Sequence, residues 1–187
     1  MNERYPQFLV APTGKSPRNL MDSIRRVANA SAGFVQSWKA GEQQEAYETS
    51  QEAFEQLDYI QNELLRQRDV LKEDNTSWQT SPFKGVLATP VGRLHNNASA
   101  SERTFFLSRP QGQGSMPTGT TPVILSLEKA LNKLKHRDTV ALNFSIDASL
   151  GHMLYVYTNA GMGQPDSISE IHISSFCFAC KNAAQHV

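Results

Sequence analysis

The chain has 187 residues, and 18 lysines and arginines balance 18 aspartates and glutamates, so its formal net charge is zero at pH 7. A neutral chain has no overall field that draws it to nucleic acid or to an anionic membrane, although a local basic patch is compatible with this balance. No apolar run is long enough to cross a bilayer, and residues 1–4 lack the charged-then-apolar pattern of a secretory signal. The two cysteines, Cys177 and Cys180, exclude a disulfide framework and suit a reducing compartment. We therefore expect a cytoplasmic protein without a membrane partner.

The first part of the chain has the pattern of two amphipathic helices. Ser16 and Pro17 predict the cap and the first residue of a helix whose apolar side chains recur every three or four residues as far as Trp38. Gly41 is a typical residue at the end of such a helix. A second helix is predicted over 42–72, because a heptad stripe runs along it and its carboxylates lie early and its basic side chains late.

The connector between these helices predicts how they pack. Only Ala40 and Gly41 separate them, so we expect an antiparallel hairpin, the alternative being one long helix kinked at Gly41. The stripe on the second helix is wider than a two-position seam, so this helix needs a companion that buries it. After Asp74, Ser, Thr, Pro and Gly replace the charged heptads, which predicts a helical hairpin module over 1–78 and an α+β domain over 79–187.

The second part of the chain predicts one helix packed on a small antiparallel sheet, which makes the expected fold class α+β. The helix is predicted to begin at Thr121 and Pro122, with apolar side chains inward and lysines outward. Ahead of it, the loop 111–121 is rich in Gly, Pro, Gln and Thr and is a candidate flap over a site. The clearest alternation of apolar and polar residues falls at 140–146. The predicted strands are 7–10, 86–94, 104–107, 140–146, 153–158 and 168–178.

Residues 11–16 resemble part of a phosphate-binding loop, since they end in Gly-Lys-Ser between a predicted strand and a predicted helix. Such a loop needs a further glycine five residues before Gly14, where this chain has Leu9, so that enough backbone N–H groups surround the phosphates. Pro17 also removes an N–H at the start of the helix. We therefore interpret the segment as a polar turn that ends in a helix cap.

Cys177 and Cys180 have the Cys-x-x-Cys spacing of half a zinc site, with His172 and His186 as the nearest imidazoles in the sequence. A structural zinc site usually has a second closely spaced ligand pair, and this sequence lacks one. The other interpretation is that Cys177 is a small core residue of a strand and Cys180 an ordinary thiol. We expect no bound metal and no cofactor.

The polar side chains of the predicted C-terminal strands are the candidates for catalysis. His172 is the candidate acid–base group, with Glu170 to orient its ring and His152 as a second histidine. With a lysine or arginine to stabilise a phosphorane, these groups would suit a metal-independent hydrolase of nucleic acid or nucleotides. The other interpretation is the solvated polar face of a half-exposed antiparallel sheet. The full set is Asn143, Ser145, His152, Tyr155, Tyr157, Glu170, His172 and Ser174.

The predicted third helix carries a run of basic side chains. They are Lys129, Lys133, Lys135, His136 and Arg137. Such a run suits phosphate contacts, whose strength depends on salt, but an ordinary solvated helix face has the same composition. The balanced charge and a total of two tryptophans give little sign of a base-stacking surface, so charge does not indicate nucleic acid as the partner.

Three functions are compatible with these patterns. The one we favour is an accessory or regulatory protein that contacts a protein partner, or a second copy of itself, through the hairpin, because such a hairpin can bury one stripe and present another. The second is the metal-independent hydrolase with its site on the C-terminal sheet, and the third is a zinc-stabilised binding module. A concave pocket that gathers His152, His172 and a basic side chain would favour the hydrolase. An exposed apolar surface on the hairpin would favour the binding protein.

Overall fold

A computed structural model describes residues 18–149, 151–161 and 163–187 of the chain. The helices are α1 (Arg18–Ala40), α2 (Gln43–Glu73), α3 (Asn75–Thr80), α4 (Pro82–Leu87), α5 (Ala100–Ser108), α6 (Leu127–Lys135) and α7 (Ile173–Ala183), followed by a 3₁₀ turn at Ala184–His186. The strands are β1 (Pro90–Asn96), β2 (Val123–Ser126), β3 (Leu142–Asp147), β4 (Gly151–Thr158) and β5 (Ser167–His172). No helix within these ranges is both long and apolar enough to cross a membrane. The strand predicted over 7–10, the segment 11–16 and the cap at Ser16 with Pro17 lie outside the described residues.

The helices α1 and α2 pack against each other as a hairpin, which confirms the prediction. Gly41 joins them in the left-handed region, at φ = 79°, where a residue with a Cβ would be strained. Its N–H donates to the carbonyl of Trp38 (3.1 Å), and the N–H of Glu42 donates to the carbonyl of Ser37 (2.9 Å). These two bonds form a Schellman motif, which satisfies carbonyls at the end of α1 and turns the chain back.

The seam of the hairpin is apolar and buried. Leu57, Ile60 and Leu64 of α2 are at most 3 % exposed, and Ile24 and Val27 of α1 belong to the same core. Because these side chains recur one turn apart, each helix presents them on a single face. The stripe predicted from the heptads is therefore the face that the hairpin buries, and α6 and α7 pack against the hairpin in turn.

The five strands form one antiparallel sheet in the order β2-β1-β5-β4-β3. The helices α6 and α7 cover one face of it, where Leu131, Leu154 and Phe176 share a core with the hairpin seam. Beside the edge strand β3, α1 reaches the same face directly, with the rings of Phe34 and Phe144 in edge contact at 4.7 Å between centroids. The fold class is α+β, with a helical hairpin and an antiparallel sheet, as the sequence predicts.

The opposite face of the sheet is also covered, whereas the sequence predicts a half-exposed sheet. Helix α5 places Phe106 on this face, next to the fully buried Tyr157. The segment predicted as a flap lies here too, because Met116 packs against the same cluster. The N–H of Gly114 donates to the carbonyl of Phe144 (2.8 Å), so this loop is hydrogen-bonded to the edge strand β3.

The strand predicted over 104–107 is wrong, because these residues lie in α5. This helix begins with a capping box, in which the Ser99 hydroxyl accepts a hydrogen bond from the N–H of Glu102 and the Glu102 carboxylate accepts one from the N–H of Ser99. The Ser-x-x-Glu spacing is a helix-start signal in the sequence. It outweighs the β propensity of the aromatic residues that follow it.

The strand predicted over 86–94 and the third helix predicted from Thr121 both begin too early. Helix α4 occupies the start of the first segment, and β1 begins only at Pro90. Strand β2 occupies the start of the second segment. Helix α6 begins only at Leu127, and Ser126 caps it by accepting a hydrogen bond from the N–H of Lys129 (3.4 Å). In the first case, Pro82 begins a short helix ahead of the strand. In the second case, the residues after Pro122 pair with β1 ahead of the helix.

The strand predicted over 168–178 ends at His172, where the chain turns into α7. From this point the buried side chains recur at helical spacing, and they include Ile173, Phe176, Cys177 and Cys180. Ser174 and both cysteines therefore lie on a helix and not on the sheet.

One apolar core joins the two predicted modules. Leu20 and Leu64 from the first segment, and Leu131 and Phe176 from the second, are essentially inaccessible to solvent within it. The division at residue 78 stays a prediction about which segment folds alone.

Candidate functional site

A buried carboxylate lies at the centre of the sheet face covered by α5. Glu170 is 1 % exposed, and its Oε1 and Oε2 accept hydrogen bonds from Arg93 Nε (2.7 Å) and Nη2 (2.6 Å). The hydroxyl of Tyr155 donates to Oε2 (3.0 Å), and Nε2 of His172 lies 3.0 Å from Oε1. Burial alone would raise the pKa of Glu170, but the hydrogen bonds from Arg93, His172 and Tyr155 hold it below its usual value.

The sheet register builds this cluster. Arg93 on β1 and Tyr155 on β4 are both directly opposite Glu170 on β5, so their side chains project from the same face. Gly92 permits the close approach of the two strands, because a Cβ at this position would overlap the backbone carbonyl of Glu170. Two strands therefore supply the partners of a charge that could not remain buried alone.

The cluster has part of what acid–base chemistry requires. A carboxylate that accepts a hydrogen bond from an imidazole orients that ring, and the side chain of His172 is 22 % exposed. The same carboxylate is neutralised by a bidentate arginine, however, so Glu170 is saturated with donors and is not a free base. Burial raises the pKa of the Tyr155 hydroxyl to about 12, which keeps it protonated as a donor.

His152 does not join this cluster. It precedes Met153, which is the residue directly opposite His172, so His152 projects from the other face of the sheet. Its Nδ1 lies 2.9 Å from the hydroxyl of Ser31, and its ring stacks on Phe34 at 4.9 Å between centroids. Burial lowers the pKa of His152 to about 4, so the ring is uncharged at neutral pH. The structure thus brings together Glu170 and His172, but not the two histidines.

His152 instead lines an apolar cleft of about 380 Å³ between the hairpin and the β3–β4 edge of the sheet. Its walls are mainly apolar and include a group of aromatic rings, with Trp38 and Phe144 in edge contact at 4.7 Å between centroids. Two of its lining residues are exposed apolar side chains, Tyr47 at 58 % and Val140 at 81 %. The main lining side chains are Val27, Phe34, Trp38, Ala46, Tyr47, Ala53, Phe54, Leu57, Val140, Leu142, Phe144, His152 and Leu154.

The helix that forms one side of this cleft is strongly acidic in its first half. Between residues 42 and 57 the chain has five glutamates and no lysine or arginine. The glutamates are Glu42, Glu45, Glu48, Glu52 and Glu55, all exposed. Glu48 and Glu55 each follow a cleft residue, Tyr47 and Phe54, so they lie one position further round the helix from it. The cleft is therefore apolar inside, and its α2 side carries negative charge.

The cysteines lie on α7 with their thiols free and buried, which corrects the predicted strand position of Cys177. Burial raises the pKa of the Cys177 thiol to about 12 and that of Cys180 well above its usual value. Both thiols are therefore protonated and are poor nucleophiles at neutral pH. In the part of the chain that the structure describes, no three His, Cys, Asp or Glu side chains are grouped so that they could hold a metal ion.

The basic residues predicted on one helix lie on and just after α6, and most of them share a second cavity. Lys129, Lys133, His136 and Arg137 line it, whereas Lys135 is exposed and is not among its lining residues. Arg137 is held by Asp58, with Nη1 and Nη2 at 2.7 and 3.0 Å from its two carboxylate oxygens.

Two features of these sites are missing from the sequence interpretation. Arg93 was within a predicted strand, but no local pattern shows that its partner is a glutamate 77 residues away. Phe34 and Trp38 have the spacing of core residues, and the sequence does not show that the core remains open beside them. Both features depend on contacts between distant segments.

Comparison of the chain with protein-family models, with curated proteins and with solved structures finds no match. A functional conclusion therefore depends on the geometry and the chemistry of the side chains.

Proposed function

We propose that this protein is an accessory or regulatory protein that acts by binding another protein through its helical hairpin. The observation that carries the proposal is the apolar cleft between the hairpin and the sheet, with exposed Tyr47 and Val140 among its lining residues. Apolar surface of this kind is unfavourable in water and is typical of binding sites. The cleft has the volume to accept one or two apolar side chains of a partner.

The exposed side chains favour a protein as the occupant over a small molecule. A small ligand would fill the cleft but would leave the outer parts of Tyr47 and Val140 in water. A partner surface that inserts an anchor would cover both as well, which is how interface anchors and their surroundings are usually arranged. His152, uncharged at neutral pH, adds no charge that would oppose an apolar anchor.

The charge around the cleft indicates the chemistry of the partner. Five exposed glutamates lie at the start of α2, four within its first half and Glu42 directly before it, and no lysine or arginine lies among them in the sequence. A partner segment with basic side chains beside an apolar anchor would be attracted by this helix and would associate faster at low salt. The partner is therefore a protein with a basic, apolar-anchored segment.

We place this function in the cytoplasm. The support is the state of Cys177 and Cys180, which are free and buried side by side on α7 without a disulfide. Unpaired thiols are typical of proteins in a reducing compartment.

The test uses the full chain with a photo-reactive phenylalanine in place of Val140. The control carries the same residue in place of Ile124, which is 67 % exposed on β2 at the other edge of the sheet. The protein cross-linked in cells from position 140 is identified, purified and titrated against the wild type, Val140→Asp and Ile124→Asp.

The proposal predicts one partner, cross-linked through a basic segment with an apolar anchor. This partner should bind the wild type and Ile124→Asp equally and Val140→Asp about tenfold or more weakly. Three outcomes would overturn it: cross-links at position 140 only to a second copy of this chain, no cross-link specific to position 140, or a small apolar molecule that copurifies in the cleft and is seen by native mass spectrometry.

A second candidate function is the metal-independent hydrolase, and the 3.0 Å contact between His172 and Glu170 favours it. Neither His172 nor Glu170 is among the residues that line the two cavities described above, which is why we rank this function below binding. Its test is a screen of RNA, DNA and nucleotide hydrolysis. Activity that His172→Ala abolishes and Lys135→Ala preserves would establish the hydrolase, whereas a wild type without activity would exclude these substrates.

A further inference from the structure

A second cavity, of about 820 Å³, lies beside α6 at the end of β4. Lys129, Lys133 and His136 line it from the helix, and Thr158 lines it from the last position of β4. It shares no lining residue with the apolar cleft. Its volume is within the range of sites for cofactors and other small molecules, about 300–1,000 Å³.

The described lining of this cavity carries positive charge and no carboxylate. Arg137 is already paired with Asp58, but no ion pair is formed by Lys129 or Lys133 within the described ranges. Lys133 is half-buried, and burial together with the charge of Lys129 lowers its pKa. Two neighbouring ammonium groups without a counter-ion repel each other, and an anion between them would remove that repulsion.

A buried hydroxyl without a partner belongs to Thr158, one of the residues that line this cavity. Thr158 is 6 % exposed, and its Oγ1 has no hydrogen-bond partner among the described residues. It is directly opposite Ser167, whose hydroxyl accepts a hydrogen bond from Lys133 Nζ (2.7 Å). A buried polar atom normally has a partner, because leaving it unpaired costs free energy. The hydroxyl and the lysine are thus adjacent groups suited to one acceptor.

We propose that this cavity binds a phosphorylated small molecule of about nucleotide size, with the phosphate between Lys129 and Lys133 and in reach of the Thr158 hydroxyl. Lysine ammonium groups and a hydroxyl are donors that phosphate oxygens accept. The amide side chains of Asn96 and Asn132 line the same cavity and provide hydrogen bonds for the rest of the molecule. This site is independent of the binding of a protein partner at the apolar cleft.

The experiment is calorimetric titration of the full chain at low salt with pyrophosphate, AMP and ADP. Lys133→Met retains the apolar stem of the lysine and removes its charge. Lys135→Met is the matched control, because Lys135 lies on the same helix but is exposed and does not line the cavity. A charge-assisted hydrogen bond contributes about tenfold or more to affinity. We expect Lys133→Met to weaken the binding of ADP by about that factor and Lys135→Met to leave it unchanged.

The three probes separate the parts of the ligand. Pyrophosphate binding as tight as that of ADP indicates a site that reads the phosphates alone, and tighter binding of AMP or ADP indicates that the nucleoside is recognised as well. Both results support a phosphate site. Absence of binding by all three would overturn the proposal, and so would an equal loss in Lys133→Met and Lys135→Met, which would mean non-specific attraction to a basic helix. Binding of an oligonucleotide without binding of these small molecules would overturn it too.

Thr158→Val provides a second variant that preserves shape. Because the hydroxyl has no partner in the protein, its replacement by a methyl group should leave the unfolding midpoint unchanged or raise it. The affinity for ADP should nevertheless fall severalfold, since one donor to the phosphate is lost. Unchanged ADP affinity in a folded Thr158→Val protein would contradict the placement of the phosphate.

Discussion

His152 makes the stability of this fold depend on pH in a way that can be measured. Burial lowers its pKa from 6.5 to about 4, and its contacts, Ser31, Phe34 and Phe144, carry no charge. Above pH 6.5 the ring is neutral in the folded and the unfolded protein, so it has no effect on the pH dependence. As the pH falls from 6.5 towards 4, only the unfolded protein binds the proton, and stability is lost.

The size of this loss follows from the difference between the two pKa values. Each pKa unit corresponds to about 1.4 kcal/mol, which gives an upper limit of about 3 kcal/mol below pH 4 and about 2 kcal/mol at pH 5. The comparison is between wild type and His152→Leu, which retains an apolar contact with Phe34 but cannot bind a proton. All other ionisable groups are common to the two proteins and cancel in the difference.

The assay is urea unfolding of both proteins at pH 7 and pH 5. We expect the free energy of unfolding of the wild type to fall by about 2 kcal/mol more than that of His152→Leu. His136→Leu is the control, because it removes a histidine from an exposed position. An equal loss of stability in the wild type and His152→Leu would refute the burial of a neutral imidazole at the base of the cleft.

Three further predictions concern the core, the charge cluster and the cysteines. Leu64→Ala should reduce the free energy of unfolding by about 2–5 kcal/mol, because Leu64 is buried in the hairpin seam. Leu107→Ala, at an exposed position, should reduce it by less than about 0.5 kcal/mol. A similar loss in both variants would contradict the burial of Leu64 in the seam. Arg93→Met should reduce the free energy of unfolding, measured in urea, by about 1–3 kcal/mol, because it leaves the charge of Glu170 buried with fewer donors. An unchanged free energy of unfolding would mean that water replaces the hydrogen bonds of the arginine. The purified protein should retain no stoichiometric zinc after dialysis, and zinc that is retained and then lost in Cys177→Ser would establish the zinc-stabilised module instead.

Local patterns were sufficient to predict the hairpin. The heptad stripe, the glycine at position 41 and the order of charges along the second helix are all read within a few turns of chain, and each agrees with α1 and α2. The alternation at 140–146 also predicts β3, although this strand begins only at Leu142 and the exposed Val140 precedes it. The predicted strand 153–158 lies within β4.

The predicted elements that are wrong are short and carry competing signals. The aromatic residues at 105 and 106 favour a strand, but the capping box at Ser99 and Glu102 starts a helix. At 168–178, the sequence alternation continues by chance beyond His172, whereas the structure buries both faces of β5 and, from Ile173 onward, buries side chains at helical spacing. A single pattern therefore joined a strand and a helix into one element.

The sites depended on register and on contacts that no local pattern contains. The predicted pairing of Glu170 and His172 follows from strand alternation, since they lie two residues apart on one face. The same alternation places His152 on the other face once the partner of His172 is known to be Met153. That register belongs to the antiparallel pairing of β4 with β5 and is set by the connection between these two strands. The lining of both cavities combines residues from distant segments, so it was accessible only from the folded structure.

The measurement that tests the proposed function most directly is the affinity of the purified cross-linked partner for the wild type and for Val140→Asp. Val140 is 81 % exposed, so a carboxylate there should leave folding intact while placing a charge against an apolar anchor. We predict that Val140→Asp weakens binding by about tenfold or more, that Ile124→Asp does not, and that added salt weakens binding to the wild type. Equal affinity of the partner for the wild type and Val140→Asp would contradict the assignment of the cleft as the binding site.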